Sequence, residues 1–321
     1  MFLKNIIRED KYVSYKASEM VTVFSGEKQE FYIYKIGQQK PDKLRIEKQT
    51  LDGQVKVIMV HDDKLQIEYF PEKNLVIKRK RVKRNETPTQ LENHLSLVKK
   101  NYDVNKVGDA TISDRKCTLI SISPKERGTR PRFRTCIDKE MLFPLKRETY
   151  SPNGNITYMS TFTDIFFNPS FDKDYFVIMV PRFTTAYEIE EPELNSYEQI
   201  LQMPDDGTPD KIPGGYVLKE IRKDRGGVSQ FIYYDGLNRI SAFMENWHGE
   251  KGDENNHFEQ VKGQNIETIT IKGLKGFFCD RGAEKILSFI TNDKKYTIVG
   301  EVSKDGLINV SKEINMRSME R

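Results

Sequence analysis

The sequence from Phe231 to Phe243 constrains the fold more than any other part of the chain. Two runs rich in apolar and aromatic residues lie on either side of Asp235 and Gly236. An Asp-Gly pair between such runs favours the positive backbone dihedrals of a tight turn. The segment therefore predicts a β-hairpin.

Alternation with a period of two predicts a series of strands over residues 19–80. In the clearest of them, Leu65, Ile67 and Tyr69 share one face while polar residues take the other. Short strands joined by short turns are typical of an antiparallel meander. The first part of the chain is therefore expected to form a large antiparallel sheet.

One helix interrupts this series, because Leu91, Leu95 and Val98 have helical spacing within Thr89–Tyr102. Strands then resume, and an apolar run at Tyr175–Val180 closes this half of the chain. The strands predicted after the helix are Cys117–Ser123, Arg132–Asp138, Leu142–Tyr150 and Ile156–Phe166.

The composition changes between Tyr187 and Pro213, where the sequence is acidic and rich in proline, with one short helix predicted at Ser196–Met203. This stretch is interpreted as a linker between two domains. A second, smaller sheet follows, and Ser303 is placed to cap a helix over Lys304–Asn315. The strands predicted for this sheet are Tyr216–Arg222, Val228–Tyr234, Leu237–Met244, Asn265–Ile271, Ile286–Thr291 and Tyr296–Val302.

The bulk composition fits a two-domain β protein. The 321 residues suffice for two domains, and only 37% are hydrophobic while 31% are charged. A net charge of +4 does not indicate nucleic-acid binding. No apolar run approaches the roughly 20 residues that span a bilayer, and the N-terminus lacks the apolar core of a secretory signal.

Several motifs together resemble the RseB/MucB family of extracytoplasmic regulators of envelope-stress sigma factors. The hairpin contributes one motif, a strand near the middle of the chain contributes a second, and the segment Val299–Val302 contributes a third. The residues that match are Tyr234, Asp235, Gly236, Leu237, Ser241 and Phe243; Asp138, Pro144, Leu145, Lys146, Glu148, Phe162, Thr163 and Ile165; and Val299, Gly300, Glu301 and Val302.

The resemblance implies an α+β fold that is mostly antiparallel β. It comprises a LolA-like curved half-barrel sheet with a helix on its concave face, and a smaller β-sheet domain with a C-terminal helix. The expected division is a LolA-like lipid- or lipoprotein-sensing domain over residues 1–186, a linker over 187–212 and a partner-binding domain over 213–321.

The function implied by the resemblance is binding and regulation. The chain is expected to be a periplasmic negative regulator that binds an anti-sigma factor and responds to a lipid, lipoprotein or lipopolysaccharide ligand. Its signal peptide would have been removed before the numbering begins. The family's self-association leaves a homodimer open. The alternative is a periplasmic lipid or lipoprotein carrier of LolA type.

Candidate ligand-binding residues are apolar positions of the first sheet and a dense basic run. The apolar set fits either a cavity lining or an ordinary core, and the basic run fits either a lipid-headgroup rim or a solvated strand end. A second basic group surrounds a hairpin turn. The residues are Phe31, Met59, Tyr69, Met159, Phe162 and Phe166; Lys78, Arg79, Lys80 and Arg81; and, in the second group, Arg127, Arg130, Arg132 and Arg134.

Candidate partner-binding residues are the exposed aromatics predicted for the second domain, which are Tyr233, Tyr234, Phe243 and Trp247. A symmetric hairpin would place Cys117 opposite Cys136. These cysteines form either a disulfide, which favours an oxidising compartment, or two small apolar fillers in a reducing one.

No catalytic motif is present in the sequence, so an enzyme is the less favoured class. We expect no cofactor and no metal. A third hypothesis, a hydrolase with a metal site near His248 and His257, rests on two histidines with acidic residues between them.

Overall fold

A computed structural model describes residues 13–25, 28–62, 64–81, 88–126, 128–189, 193–195, 209–223, 226–247, 266–281, 283–291 and 293–319. No helix within these ranges combines the length and the apolar character needed to cross a membrane. The described strands form two sheets.

The first sheet has 12 strands in the order β12-β6-β5-β4-β3-β2-β1-β11-β10-β9-β8-β7. Consecutive strands pair as antiparallel hairpins from β1 to β6 and from β7 to β11, as the period-two alternation predicts. The strands are β1 (Tyr15–Ser25), β2 (Lys28–Gln39), β3 (Lys43–Gln49), β4 (Val55–His61), β5 (Leu65–Phe70), β6 (Leu75–Lys80), β7 (Tyr102–Ile112), β8 (Arg115–Pro124), β9 (Arg132–Asp138), β10 (Pro144–Tyr150), β11 (Ile156–Phe167) and β12 (Thr185–Ile189).

The second sheet runs β13-β15-β16-β17-β21-β20-β19-β18, with β14 paired to β15. Its buried core includes Tyr233, Phe289 and Ile298. The strands are β13 (Glu193–Asn195), β14 (Lys211–Ile212), β15 (Tyr216–Lys223), β16 (Ser229–Tyr234), β17 (Arg239–Asn246), β18 (Ile266–Ile271), β19 (Leu274–Arg281), β20 (Glu284–Ile290) and β21 (Lys294–Gly300).

Two α-helices lie within the described residues, with a 3₁₀ turn at Pro71–Lys73. Helix α1 (Pro88–Asn101) buries Val98 against Ile120, Ile122 and Ile137 of the first sheet. Helix α2 (Lys304–Met319) covers the second core with Leu307, Val310 and Ile314. Ser303 caps α2 as predicted, because its Oγ accepts a hydrogen bond of 3.1 Å from the N–H of Gly306.

The predicted fold class is confirmed: the chain is mostly antiparallel β, with a large open sheet and a second sheet that carries the C-terminal helix. Sequence reasoning missed β7, which is polar and contains Gly108, and β19, where Gly276 replaces a strand side chain. A Cβ at Gly276 would lie 3.0 Å from Ile271 Cδ1, so the glycine makes room for a core side chain.

The apolar run at Tyr175–Val180 is not a strand but part of a strap across the first sheet. The ring of Tyr175 fills a notch at Gly37, where a Cβ would lie 2.3 Å from a ring carbon. Arg45 holds the strap by donating hydrogen bonds from Nη1 to the carbonyl oxygens of Tyr175 (3.3 Å) and Val177 (3.1 Å). The Tyr175 ring of this run therefore packs against the first sheet, and the backbone of the run does not pair as a strand.

The two sheets are joined by a short length of chain. Strand β12 is the edge of the first sheet, β13 is an edge of the second, and only residues 190–192 separate them. The predicted division at residues 186 and 213 stays a prediction, and the helix predicted at Ser196–Met203 lies outside the described residues.

Cys117 and Cys136 are paired as a disulfide with Cα atoms 5.5 Å apart. The predicted register is wrong by two residues, because Cys117 lies opposite Asp138 and Cys136 lies opposite Leu119. The cysteines are therefore diagonal neighbours on one face of the β8–β9 pair. The turn between the strands is not centred midway between the two cysteines, which was the basis of the predicted register.

The disulfide predicts a measurable loss of stability when it is removed. The double variant Cys117→Ala/Cys136→Ala should lower the free energy of unfolding by about 3 kcal/mol, since the bridge closes a loop of 19 residues in the unfolded chain. Urea denaturation measures the change. A reducing agent should destabilise the wild type by a similar amount and leave the variant unchanged; equal sensitivity of both proteins would contradict the prediction.

Asp138 anchors the turn after β9. Its Oδ1 accepts hydrogen bonds from the N–H groups of Glu140 (2.8 Å) and Met141 (2.7 Å), and Arg115 forms an ion pair with the carboxylate. Burial alone would raise the pKa of Asp138. The hydrogen bonds from Arg115 and the two backbone groups outweigh burial and hold that pKa below its ordinary value.

The depressed pKa gives Asp138 a pH-dependent role in stability. The contribution of the carboxylate is present above the unfolded pKa of about 4 and is lost as pH falls through the lower folded pKa. Asp138→Asn should therefore lower the free energy of unfolding by about 2 kcal/mol at pH 7. The difference in this free energy between variant and wild type should become smaller below about pH 4. Urea denaturation midpoints of both proteins across this pH range test the prediction. A stability difference that stays constant with pH would rule out the carboxylate charge as its cause.

Candidate functional site

The loop of the β16–β17 hairpin lies at the junction of the two sheets. It has four residues between the paired Tyr234 and Arg239, and Gly236 alone among its four residues has a positive φ, of 110°. The Asp-Gly pair thus makes a wider loop than the predicted tight turn. Asp235 closes the loop instead: its Oδ1 accepts hydrogen bonds from the N–H groups of Leu237 (3.0 Å) and Asn238 (2.8 Å).

The second carboxylate oxygen of Asp235 binds the first sheet. Oδ2 accepts a hydrogen bond of 2.7 Å from the hydroxyl of Tyr102, at the start of β7, and one of 3.3 Å from Nη1 of Arg130. The Asp235 and Arg130 side chains are 0% and 2% exposed, so this is a buried ion pair. Asn101 adds a hydrogen bond of 2.7 Å from Nδ2 to the carbonyl oxygen of Asp235. We call Asn101, Tyr102, Arg130 and Asp235 the Asp235 clasp.

Two glycines let the sheets approach this closely. A Cβ at Gly236 would lie 2.7 Å from the backbone nitrogen of Val98 in α1. A Cβ at Gly215, where φ is 75°, would lie 2.2 Å from Oδ1 of Asn101. A larger residue at Gly236 would push the loop away from the α1 backbone, and one at Gly215 would displace the Asn101 side chain.

Further contacts surround the Asp235 clasp. Nε2 of His94 lies 2.6 Å from the carbonyl oxygen of Gly236 and 2.9 Å from the hydroxyl of Tyr234. On the other side, the N–H of Ser303 donates a hydrogen bond of 3.0 Å to the carbonyl oxygen of Thr129. The clasp therefore lies within a broader polar junction.

Burial and the charge of Asp235 raise the pKa of Tyr102 far above the physiological range. Burial, followed by the same carboxylate, also raises the pKa of Tyr216 well above its ordinary value. Both phenols therefore remain protonated and can donate hydrogen bonds. Since four donors occupy the carboxylate, the Asp235 clasp is suited to positioning the two sheets rather than to proton transfer.

Sequence reasoning missed Asn101 and Tyr102, and it assigned Arg130 to a basic surface group. Arg130 is instead committed to the buried pair, while Arg132 and Arg134 lie over the ring of Tyr150. Arg127 is outside the described residues. The only signal for the clasp was an acidic residue in an apolar hairpin, which equally fits an ordinary turn.

The six apolar residues predicted as a ligand site do not share one face of the first sheet. The strand registers place Phe31 and Met159 on either side of Thr22, with Tyr69 and Phe166 on the same face. Met59 and Phe162 point to the other face, and Phe162 is buried in a core cluster. Phe31 and Phe166 are 41% and 65% exposed. A ligand role for these residues stays a prediction.

The predicted basic run lies on and just after β6. Arg79 forms an ion pair of 2.7 Å with Glu68, Lys78 lies 3.9 Å from Glu188, and Arg81 contacts the carbonyl oxygen of Asp62. Lys80 is exposed at the end of the strand. Much of this charge is balanced by neighbouring acidic or carbonyl groups.

The predicted partner-binding aromatics are in different environments. Tyr233 is fully buried and its hydroxyl donates a hydrogen bond of 2.9 Å to the carbonyl oxygen of Pro209, so it offers no surface contact. Tyr234, Phe243 and Trp247 are half-buried. Their role in partner binding stays a prediction.

Within the described ranges, no group of three or more His, Cys, Asp or Glu side chains is arranged to hold a metal ion. The histidines considered for such a site, His248 and His257, lie outside those ranges. Cys279 is buried in β19.

Comparison with known structures agrees with this architecture. The complex of MucA and MucB from Pseudomonas aeruginosa contains a chain that is 18% identical, with a TM-score of 0.59 over 97% of this chain and 95% of that one. MucB in complex with MucA(peri) is 16% identical, with a TM-score of 0.58 over 98% of this chain and 96% of that one. MucB alone is 15% identical, with a TM-score of 0.52 over 98% of this chain and 95% of that one. At these identities, the likeness shows the fold.

A curated relative is the uncharacterized protein MJ0687 of Methanocaldococcus jannaschii, which is 23% identical over 318 residues, covering 94% of this chain and 88% of the relative. Residues 206–314 match a domain of unknown function, DUF4367. The family described as the MucB/RseB N-terminal domain matches residues 3–180, more than half of the chain. The protein therefore belongs to the MucB/RseB family.

Proposed function

We propose that this protein is an extracytoplasmic regulator that binds the extracytoplasmic segment of a membrane-anchored anti-sigma factor. Family membership supports this proposal, and MucB has been solved together with MucA. The second sheet would hold the partner, with the half-buried Tyr234, Phe243 and Trp247 as contacts. Binding, rather than catalysis, is the proposed activity.

The Asp235 clasp is the observation that carries the regulatory part of the proposal. One buried carboxylate joins the loop of the second sheet to Tyr102 and Arg130 of the first. A ligand that binds better when the clasp is open would shift the two sheets apart. It would thereby weaken the binding of a partner that requires the closed clasp, because two ligands that prefer different conformations lower each other's affinity.

The proposed ligand is a lipid or a lipoprotein acyl chain. The exposed face around Phe31, Met159 and Phe166 offers apolar contact, and each buried methylene contributes about 0.8 kcal/mol. Arg132 and Arg134 lie on the same face, where guanidinium groups suit a phosphate headgroup. Lipopolysaccharide combines both features.

A periplasmic location is part of the proposal. The disulfide between Cys117 and Cys136 supports it, because such bridges persist in oxidising compartments. A homodimer stays a prediction.

A lipid or lipoprotein carrier is the second candidate. The exposure of Phe31, which lies across Thr22 from the half-buried Met159, favours it, since neighbouring apolar side chains on a surface often mark a binding area. A carrier would retain acyl chains through purification and would have no affinity for an anti-sigma segment. Mass spectrometry of extracted lipids and a binding titration separate the two functions.

The proposed function predicts that loosening the Asp235 clasp weakens partner binding. Tyr102→Phe removes a hydrogen bond to a buried charge, which is worth about 2 kcal/mol. Gly236→Ala introduces a clash with Val98. Both variants should increase the radius of gyration in small-angle scattering. Both should also raise the Kd for the extracytoplasmic segment of an anti-sigma factor from the same genome at least tenfold.

Asp174→Asn, an exposed change on the strap, is the matched control and should leave both quantities unchanged. Lysophospholipid should bind the two clasp variants more tightly than the wild type. If the wild type has no affinity for the anti-sigma segment, the proposed function is wrong. If it binds equally well to folded clasp variants, the regulatory role of the clasp is wrong.

A further inference from the structure

Strand β12 lies parallel to β6, and this is the only parallel pairing among the described strands. It pairs with β6 from Thr185 opposite Leu75 to Ile189 opposite Arg79. All the other described pairings are antiparallel. A parallel pair is slightly less stable per residue than an antiparallel one.

The side chains of β12 hold it only weakly to the sheet. Each of its five residues is exposed. The ion pair between Lys78 Nζ and Glu188 Oε1 is 3.9 Å long and lies in solvent, where such pairs contribute little. At its start, the N–H of Thr185 donates a hydrogen bond of 3.1 Å to the carbonyl oxygen of Asn74, and β12 then depends on its main-chain pairing with β6 as far as Ile189.

Strand β6, in contrast, is firmly placed. Val76 is buried, and β5 pairs with β6 along its whole length. Without β12, the outer edge of β6 would present a row of backbone groups that are ready to pair with another strand. The edge would then be available without any change in the rest of the sheet.

The charges along this edge indicate what kind of strand it accepts. β6 ends in the basic residues Lys78, Arg79 and Lys80, and Arg81 follows. β12 is acidic at the matching end, since Glu188 lies opposite Lys78. In an isolated edge strand, lysines would simply discourage pairing. Here, Lys78 already lies opposite Glu188 in the paired β12, which indicates that the edge accepts a strand with an acidic side chain at this position.

We infer that the outer edge of β6 is a docking site for an extended acidic segment of another protein, which adds as a parallel strand in place of β12. Main-chain hydrogen bonds would supply the affinity, and Lys78 and Lys80 the preference for acidic sequences. Arg79 and Arg81 are already engaged by Glu68 and Asp62. β12 is then an intramolecular occupant that the partner must displace. This inference does not rest on the proposed anti-sigma function.

A synthetic peptide tests the inference directly. The probe is a labelled 12-residue peptide with alternating Ile and Glu, about twice the length of the six-residue β6, so that it covers the whole edge. Its binding is measured by fluorescence anisotropy. Val76→Cys/Ala186→Cys, at directly opposed positions, should lock β12 to β6 when oxidised. We expect the oxidised lock to bind the peptide at least tenfold more weakly than the same variant after reduction. Tyr187→Pro, which removes a main-chain donor on the side of β12 that faces β6, should bind at least tenfold more tightly than the wild type.

Controls separate strand addition from simple charge attraction. The single variant Ala186→Cys, taken through the same oxidation and reduction, should show no change in affinity. A peptide of equal charge with Pro at every third position should not bind, because it cannot form a strand. Equal binding to the locked and reduced forms, equal binding of the proline peptide, or no binding to Tyr187→Pro would each overturn the inference.

Discussion

The buried ion pair between Asp235 and Arg130 determines how the two halves of this protein sit together. Two charges withdrawn from water are tolerated only when every remaining hydrogen-bonding position of the carboxylate is occupied. The loop N–H groups of Leu237 and Asn238 and the hydroxyl of Tyr102 meet that need. An apolar contact of equal area would tolerate small sliding movements, whereas these directional hydrogen bonds to the carboxylate can all be made in only one arrangement. Its role is better described as fixing geometry than as adding stability.

Much of the fold could be predicted from the sequence because it depends on local patterns. The helix predicted over Thr89–Tyr102 is found at Pro88–Asn101, and the hairpin around Asp235 is present. Motifs that resemble one family were sufficient to indicate both sheets, and the family itself is shown. These features depend on periodicity, turn residues and caps, each of which acts within a few positions along the chain.

The remainder depends on contacts between distant residues, which no local pattern encodes. Tyr102 looks like a helix end, and its partner is 133 positions away. The face of Met59 is set by the register across three strands, in which Met59 lies opposite Ile46 and Ile46 lies opposite Ile36. A one-residue error in the position of the turn centre shifts the register by two residues, which was enough to misplace Cys117 relative to Cys136. The candidate site was missed for the same reason, since Arg130 is basic in sequence but buried in space.

The chain between β12 and β13 limits how far the two sheets can part. Four peptide steps from Ile189 to Glu193 reach at most about 14 Å, even when fully extended. If the Asp235 clasp opened, this connection would still hold the second sheet close to the β12 edge of the first. The two sheets would therefore rotate about the connection rather than separate. If β12 were displaced, its residues would make the connection longer. Binding of another strand at the β6 edge would then determine how far the two sheets can rotate. Strand exchange at one edge of the first sheet would thus be coupled to opening of the clasp at β7, the other edge.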